Sequence, residues 1–421
     1  MSEQRTDKNV KNKIFSDPSD IIAVKPAFVL FFSIHLHDAF NGFKKSFSGI
    51  EPLQSEQSDK YLAQFTEFES QLLGKVFIGR QRMKRYPLGR IKLAGLKQDK
   101  SLHLPSHADV YLLSHKSGIA LWEVWLPMPN QPFDVSNWIG WLNKDAKNNI
   151  IAQLWRVLSP VNKNITGKST WSGLYFPLII LRATKHPLRT VVDRYSPDII
   201  HLLYLDHSLK PFKQKLIEEE LGRDYCTRED GLTLLGRRSG LDIHGHEDKN
   251  EGANDEGLPP RSSMPFLITL ELLLIEHAVL IHLYEQLSRH VPCSVDELLV
   301  IKQNVLDELE EYSGAITNAT RFSDLVTSDG EYLFGLDNLY DAVVNRLDVI
   351  SFEITTRYQN SMTLLQFWLT VVFGATEIGF IASGIATWYY DTGLGLVLAW
   401  TIGITVVSGL ILILLLRGKL K

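Results

Sequence analysis

The chain has 421 residues, with 44 Lys and Arg against 48 Asp and Glu, and a formal net charge of −4. This near-neutral balance excludes nucleic-acid binding driven by overall charge, and the length allows two or three domains. Two cysteines, Cys226 and Cys293, are too few for a disulfide framework and fit a reducing cytosol. Residues 1–26 are polar, so we expect no signal peptide and a disordered tail over 1–20.

Residues 21–243 predict a cytosolic sensor domain of mixed α/β or α+β class. Apolar runs bounded by turn residues predict strands over 27–36, 175–184 and 199–205. Apolar pairs around short polar turns predict hairpins over 108–128 and 231–243. Helical spacing is found over 55–73 and 211–221.

A polar stretch rich in Gly and Pro over 244–263 predicts a linker, and helices follow over 264–361. The run 266–290 is apolar but contains Glu271 and Glu276. Because acids are costly inside a bilayer, we expect this run to be a helix packed in a protein core. Ser294, with an acid three residues later, predicts the start of another helix over 294–312.

A heptad pattern predicts a long stalk helix. Its apolar residues alternate in steps of three and four, which favours packing against other helices: Leu333, Leu336, Tyr340, Val343, Leu347, Ile350 and Ile354. No Gly or Pro lies between Leu336 and Gly374, so the stalk should enter the membrane without a break.

Two membrane spans are predicted over 362–416. Met362–Trp388 contains one charge in 27 residues and Leu394–Leu416 contains none in 23, and roughly 20 apolar residues cross a bilayer as a helix. Basic residues flank the far ends of the pair, including the tail 417–421, and the connecting loop carries only Asp391. The positive-inside rule therefore predicts a multi-pass protein of the inner (cytoplasmic) membrane with both termini in the cytoplasm.

The one charge in the first span, Glu377, lies on a polar stripe. Residues spaced three, four or seven apart place this stripe on one helical face: Asn360, Thr363, Gln366, Thr370, Gly374, Glu377 and Gly384. A carboxylate facing lipid costs roughly 3 kcal/mol or more, so we expect it to face an oligomer axis. Two alternatives stay open, a pore lining and a protonated acid that makes a structural hydrogen bond between helices.

The same stripe extends down the stalk. Asp341, Asn345 and Asp348 lie on its line and would form an acidic ring at a cytosolic pore mouth. The alternative is that these three residues are the solvated face of an amphipathic helix.

These parts resemble the CorA-type metal-ion transporters. The local match is "RYQNSMTLLQFWLTVVFGATEIGFIASGI" (357–385), which holds an Asn-x-Met at Asn360 and a Leu-Thr-Val at Leu369. The resemblance implies a homopentamer in which the first span lines the pore. The Gly-Met-Asn triplet that closes the first span in that family is absent, because 386–389 reads Ala-Thr-Trp-Tyr. Its absence argues against magnesium selectivity.

Divergent relatives of that family without the triplet resemble membrane effectors of prokaryotic antiviral systems, including CRISPR-associated ones, in which a nucleotide signal acts on the cytosolic domain. An anionic ligand would need cations, and the first candidates lie in the run 79–92: Arg80, Arg82, Lys84, Arg85 and Arg90, with Arg237 and Arg238 second. The alternative for this run is a solvated or membrane-apposed basic loop.

No metal-ligand spacing and no catalytic motif was found, so we expect no metal and no enzyme. The sequence therefore favours an oligomeric channel or membrane effector with a cytosolic sensor domain. The alternatives are a divalent metal-ion (Mg²⁺) transporter and a membrane-anchored enzyme or binding module. The expected partners are further copies of the chain, the lipid bilayer and a nucleotide second messenger, without direct nucleic-acid binding.

Overall fold

The computed structural model describes residues 27–35, 50–51, 55–72, 83–93, 105–115, 118–128, 135–143, 150–166, 174–182, 187–206, 208, 210–245, 261–289, 296, 299–300, 302–303, 321–390 and 393–417. The predicted tail 1–20, most of the linker and most of the helix expected over 294–312 lie outside these residues. The chain divides into two compact units, Met1–Gln286 with Asp307–Val343, and Leu287–Leu306 with Val344–Lys421.

The first unit contains a mixed sheet of eight described strands. Its order is β2-β3-β4-β5-β1-β6-β8-β7, and the strands in chain order are β1 (Ala27–His35), β2 (Ile50–Glu51), β3 (Met83–Lys92), β4 (His107–His115), β5 (Ile119–Pro127), β6 (Tyr175–Arg182), β7 (Gly231–Leu235) and β8 (Gly240–His244). The central strand β1 pairs antiparallel with both β5 and β6. The pair β6 and β8 is parallel.

Both predicted hairpins are confirmed. β4 turns into β5 around Gly118, whose φ is 80°, and β7 turns into β8 around the exposed Arg237 and Arg238. The middle strands β4 and β5 are almost continuously buried, and β5 is apolar except for Glu123, as expected for strands covered on both faces. The strands predicted over 27–36 and 175–184 are also confirmed, within one or two residues.

Helices precede and follow the strands: α1 (Ser55–Leu72), α2 (Val135–Leu142), α3 (Ile150–Thr166), α4 (Leu188–Tyr204), α5 (Gln214–Leu221), α6 (Met264–Arg289), α7 (Arg321–Phe334), α8 (Leu336–Tyr390) and α9 (Leu394–Arg417). The strand predicted over 199–205 is wrong, because these residues form the end of α4. Their buried positions continue a helical spacing that starts at Leu188 and Val191, before the kink at Tyr195. A short apolar run alone does not distinguish the two structures.

A bulge in β3 brings β2 close. The register between β3 and β4 shifts at Pro87 and Gly89, and Gly89 has a φ of 141°. A Cβ at this position would overlap the Glu51 carbonyl oxygen of β2. Only glycine combines this backbone conformation with so close an approach.

Helix α6 is a core helix of the first unit, as its acids predicted. In its most apolar window, 72% of the residues are buried inside the protein. Leu267, Leu270 and Leu274 are fully covered, and Glu271 is 1% exposed. Length and hydropathy alone would also suit a membrane span, so burial is the property that distinguishes α6 from α8 and α9.

Helix α7 packs on the sheet and leads directly into α8. The Tyr225 hydroxyl donates a hydrogen bond of 2.7 Å to Asp329, and Phe334 meets Phe176 of β6 edge to face, with ring centroids 5.5 Å apart. Gly335, with a φ of 67°, ends α7, and α8 begins at the next residue. The sequence predicted an unbroken helix from the stalk into the membrane, and α8 confirms it with 55 residues.

Four of the predicted seam residues are buried, namely Leu336, Val343, Leu347 and Ile350, whereas Tyr340 is 42% exposed. In the second unit, α9 returns along the end of α8 after a short connection. This pair is the predicted membrane hairpin.

Candidate functional site on the first membrane helix

One face of α8 is occupied by its hairpin partner α9. Val371 and Ala375 are buried, and a Cβ at Gly379 would overlap the Thr405 hydroxyl of α9. The Ser408 hydroxyl donates to the Ala375 carbonyl oxygen at 3.4 Å. These small residues let the two helices approach closely.

Glu377 lies on the opposite face of α8. A helix turns about 100° per residue, so Glu377 is about 200° around the axis from Ala375. Its side chain is exposed in the single chain. The hairpin partner therefore leaves this carboxylate uncovered within a predicted span.

Most of the polar stripe shares that uncovered face. Gln366 and Gly384 are about 180° from Ala375, and both are exposed. The hydroxyls of Thr363 and Thr370 are also exposed, but each donates to the carbonyl oxygen four residues earlier, at 2.8 Å. The hydroxyl protons of both threonines are therefore used within the helix, which leaves the oxygens to accept.

Two predicted stripe residues lie at its border. Gly374 faces α9, because a Cβ there would lie 3.3 Å from Leu412 Cδ1. Gly374 therefore lies against α9 and not on the uncovered face. Asn360 is exposed but, by helical geometry, lies about 60° from the line of Ala375.

The stalk residues of the stripe are exposed as well. Asp341, Asn345 and Asp348 each present their side chains to solvent. Phe352, one turn after Asp348, is 74% exposed on the same line. In a single chain this exposure suits both a pore mouth and a solvated helix face.

The structure separates the basic residues that were grouped as an anion site. Arg80 and Arg82 lie outside the described residues, and Lys84 is exposed. Arg85 is buried between two carboxylates, with its side chain 6% exposed. Arg90 binds Asp109 with its Nε at 2.7 Å from Oδ1. Arg85 is therefore not an open cation, and Arg90 is already paired.

The second group of cations lies far from the first. Arg237 and Arg238 are exposed at the turn between β7 and β8. Five strands separate β3 from β7 in the sheet order. At about 4.8 Å between neighbouring strands, this places the two groups on the order of 29 Å apart. They do not form one surface.

The buried charge network around Arg85 was not predicted. Arg85 Nη1 lies 2.7 Å from Glu123 Oε2 of β5 and 2.9 Å from Glu271 Oε1 of α6, and Nη2 lies 2.6 Å from Glu271 Oε2. The Tyr61 hydroxyl of α1 is 2.8 Å from both oxygens of Glu123. The Trp125 indole also donates to Glu123. Side chains from α1, β3, β5 and α6 thus meet in one polar contact inside the first unit.

Burial and neighbouring charge change the acidity of this network. Burial raises the pKa of Glu271 to about 8, with the Arg85 charge opposing the rise and the Glu123 charge adding to it. Burial and the Glu123 charge raise the pKa of the Tyr61 hydroxyl well above its ordinary value. At neutral pH both groups therefore favour their neutral forms.

A second buried cluster joins Asp242, His244 and Ser263. Burial alone would raise the pKa of Asp242, but His244 and hydrogen bonds from Ser263 and Thr233 lower it. Asp242 Oδ2 and Ser263 Oγ both lie 2.8 Å from the same nitrogen of His244, Nε2. A nucleophilic relay needs the acid and the hydroxyl on opposite ring nitrogens. Ser263 is also fully buried, so this geometry does not activate it as a nucleophile.

Among the described residues, no group of three or more His, Cys, Asp or Glu side chains could hold a metal ion. Comparison with known proteins gave no match to a family model, to a curated protein or to a solved structure.

Proposed function

We propose that the chain is an oligomeric membrane protein in which copies of α8 surround a polar, ion-conducting pathway, and in which the sheet of the first unit senses a ligand. The observation that carries this proposal is the position of Glu377. It is exposed on the face of α8 that α9 does not cover.

The energetic argument concerns lipid. Leaving Glu377 against acyl chains costs roughly 3 kcal/mol per copy or more, so an arrangement that turns it toward other copies is favoured. Gln366 and the hydroxyl oxygen of Thr370 lie on the same face and would join it along the axis. A ring of carboxylates in a pathway favours cations over anions.

Coupling between sensor and pathway is supported by the route of the chain. Helix α7 is held on β6 by Phe334 and to Tyr225, before β7, by Asp329, and only Gly335 separates it from α8. A shift of α7 on the sheet would be transmitted to a single continuous helix that enters the membrane. The ligand we propose is anionic, such as a nucleotide, with Lys84 or the Arg237 turn as the exposed cations available to it.

For the biological role we propose an effector of antiviral defence, because such an effector joins a signal-sensing unit to a membrane pore. The alternatives are a divalent metal-ion transporter and a membrane-anchored enzyme or binding module. In the anchor alternative the first unit keeps its activity without the hairpin, and Glu377 can be replaced without effect.

The experiment is ion flux from liposomes that contain the purified full chain, with and without candidate nucleotides. The test variant is Glu377→Gln, which removes the charge and keeps the shape. The matched control is Glu353→Gln on the same helix. The Glu353 carboxylate pairs with Arg357 four residues later. We expect Glu377→Gln to change cation flux or its selectivity at least several-fold and the control to leave it unchanged.

Two results would overturn the proposal. The first is protein that never conducts under any ligand condition. The second is equal flux from both variants and the parent chain. Growth of a transport-deficient strain on low magnesium would instead support the transporter alternative.

A further inference from the structure

The network around Arg85 holds two carboxylates and one guanidinium away from water. The side chains of Glu123 and Glu271 are 0% and 2% exposed, and that of Arg85 is 6% exposed. Both acids reach the same nitrogen, Nη1 of Arg85. A buried site with one positive and two negative charges is unbalanced, and close carboxylates that share a site retain a proton.

The shared guanidinium supports this count. Nη1 of Arg85 lies 2.7 Å from Glu123 Oε2 and 2.9 Å from Glu271 Oε1, so the two carboxylates are held around one nitrogen. Two ionised carboxylates that share a buried site repel each other, and one proton between them removes that repulsion. With that proton, the group of three has no net charge, and its burial is far less costly.

We propose that Glu123 and Glu271 share one proton at neutral pH. This proton stabilises the contact between helix α6 and the sheet, and its release weakens that contact. We call the three side chains Arg85, Glu123 and Glu271 the proton latch of the first unit. It stands independently of ion conduction, because every group in it belongs to that unit.

Among the described residues, the other titratable groups that face the pair do not supply the missing positive charge. From α1 the neighbour is Tyr61, and from β4 it is Tyr111, whose ring stacks on Tyr61 at 3.6 Å. Burial raises the pKa of both hydroxyls, so both remain neutral. From β3 the cation is Arg85 itself, which also lies 3.6 Å from the ring centroid of Phe65.

The direction of the pH effect follows from where the proton binds. The folded chain holds the proton up to about pH 8, whereas an unfolded Glu releases it near 4.5. The stability that the proton contributes is therefore complete below about pH 4.5 and is lost as the pH rises toward 8. Above that pH the extra buried negative charge should loosen α6.

Two measurements on the full chain in detergent test the latch. The infrared band of protonated carboxylic acids, followed from pH 6 to 10, should lose a component with a midpoint near 8. Glu271→Gln should abolish that component. The control Glu276→Gln should remove only a component near pH 7, because burial raises the pKa of Glu276 to about 7.

Hydrogen exchange reports the structural consequence. After correction for the intrinsic pH dependence, amides of α6 around Glu271 should exchange at least several-fold faster at pH 9 than at pH 7, and Glu271→Gln should remove this difference. If Glu271→Gln does not fold, Glu123→Gln replaces it as the test variant. Glu123→Gln leaves Glu271 paired with Arg85 alone, so it should also abolish the infrared component. Two results would overturn the latch. The first is an infrared band of protonated acids that loses no component near pH 8, or that loses the same component in Glu271→Gln. The second is equal exchange of the α6 amides at pH 7 and pH 9.

Discussion

Replacing Arg85 with Met tests the buried network by removing the one cation that the described residues place in it. The Arg85 guanidinium makes contacts of 2.6 to 2.9 Å with Glu123 and Glu271. Methionine keeps part of the apolar volume over the Phe65 ring, so the change isolates the charge and its hydrogen bonds. It leaves two acids with almost no exposure and with no positive partner in the part of the chain that the structure describes.

The magnitude follows from burial. Removing one partner of a buried ion pair typically costs 3–5 kcal/mol, because the remaining charge stays in a medium of low dielectric constant. Because the two acids already share one proton in our proposal, the loss of Arg85 leaves one uncompensated negative charge rather than two. We therefore expect a loss of about 3 kcal/mol, the lower end of that range. The free energy of unfolding is measured by urea titration of the full chain in detergent, with tryptophan fluorescence as the signal. Two of the nine tryptophans, Trp122 and Trp125, lie next to Glu123 in β5.

The matched control is Lys92→Met on the same strand. Lys92 Nζ lies 2.6 Å from Glu51 Oε1, a contact as short as that of Arg85, but the two side chains are 62% and 54% exposed. Water and salt screen such a pair, so this variant should resemble the parent chain. Equal losses in the two variants would refute the reasoning from burial.

Two further predictions concern glycines. Gly379→Val should separate α8 from α9, because its side chain overlaps Thr405, and should reduce the yield of the proposed oligomer in native electrophoresis. Gly395→Val on α9, with open space around it, should not. Gly89→Ala should lower the free energy of unfolding by more than about 1–2 kcal/mol in a urea titration, because the left-handed backbone alone costs that much and the added Cβ also overlaps the Glu51 carbonyl oxygen. Gly140→Ala in α2 should leave stability unchanged or slightly higher.

The hairpins and the membrane helices could be predicted because their signals are local. Turn residues such as Gly118 mark the strand ends, and an uninterrupted apolar run marks a span. The end of α4 was mistaken for a strand because the run 199–205 is short, and its helical spacing becomes visible only when α4 is read from Leu188. Pro197 and the kink at Tyr195 hide that continuity.

The charge network could not be predicted in the same way. Arg85 is 38 residues from Glu123 and 186 from Glu271, so only the sheet and α6 bring them together. A partial signal exists, since Glu123 is the one acid of its apolar strand, Glu271 lies in an apolar stretch of α6, and a buried acid needs a partner. The basic run around Arg85 instead suggested an open surface, because a sequence does not show which cation faces inward.

The measurement that tests the central claim most directly is the environment of position 377. In a background without Cys226 and Cys293, Glu377→Cys should react with a membrane-impermeant thiol reagent and should form disulfides between copies, because the account places this face on a shared polar axis. Val406→Cys on α9 is the lipid-facing control, since Val406 is 57% exposed in the single chain, and it should do neither. Protection of position 377 from the reagent, together with absence of cross-links between copies, would contradict the account.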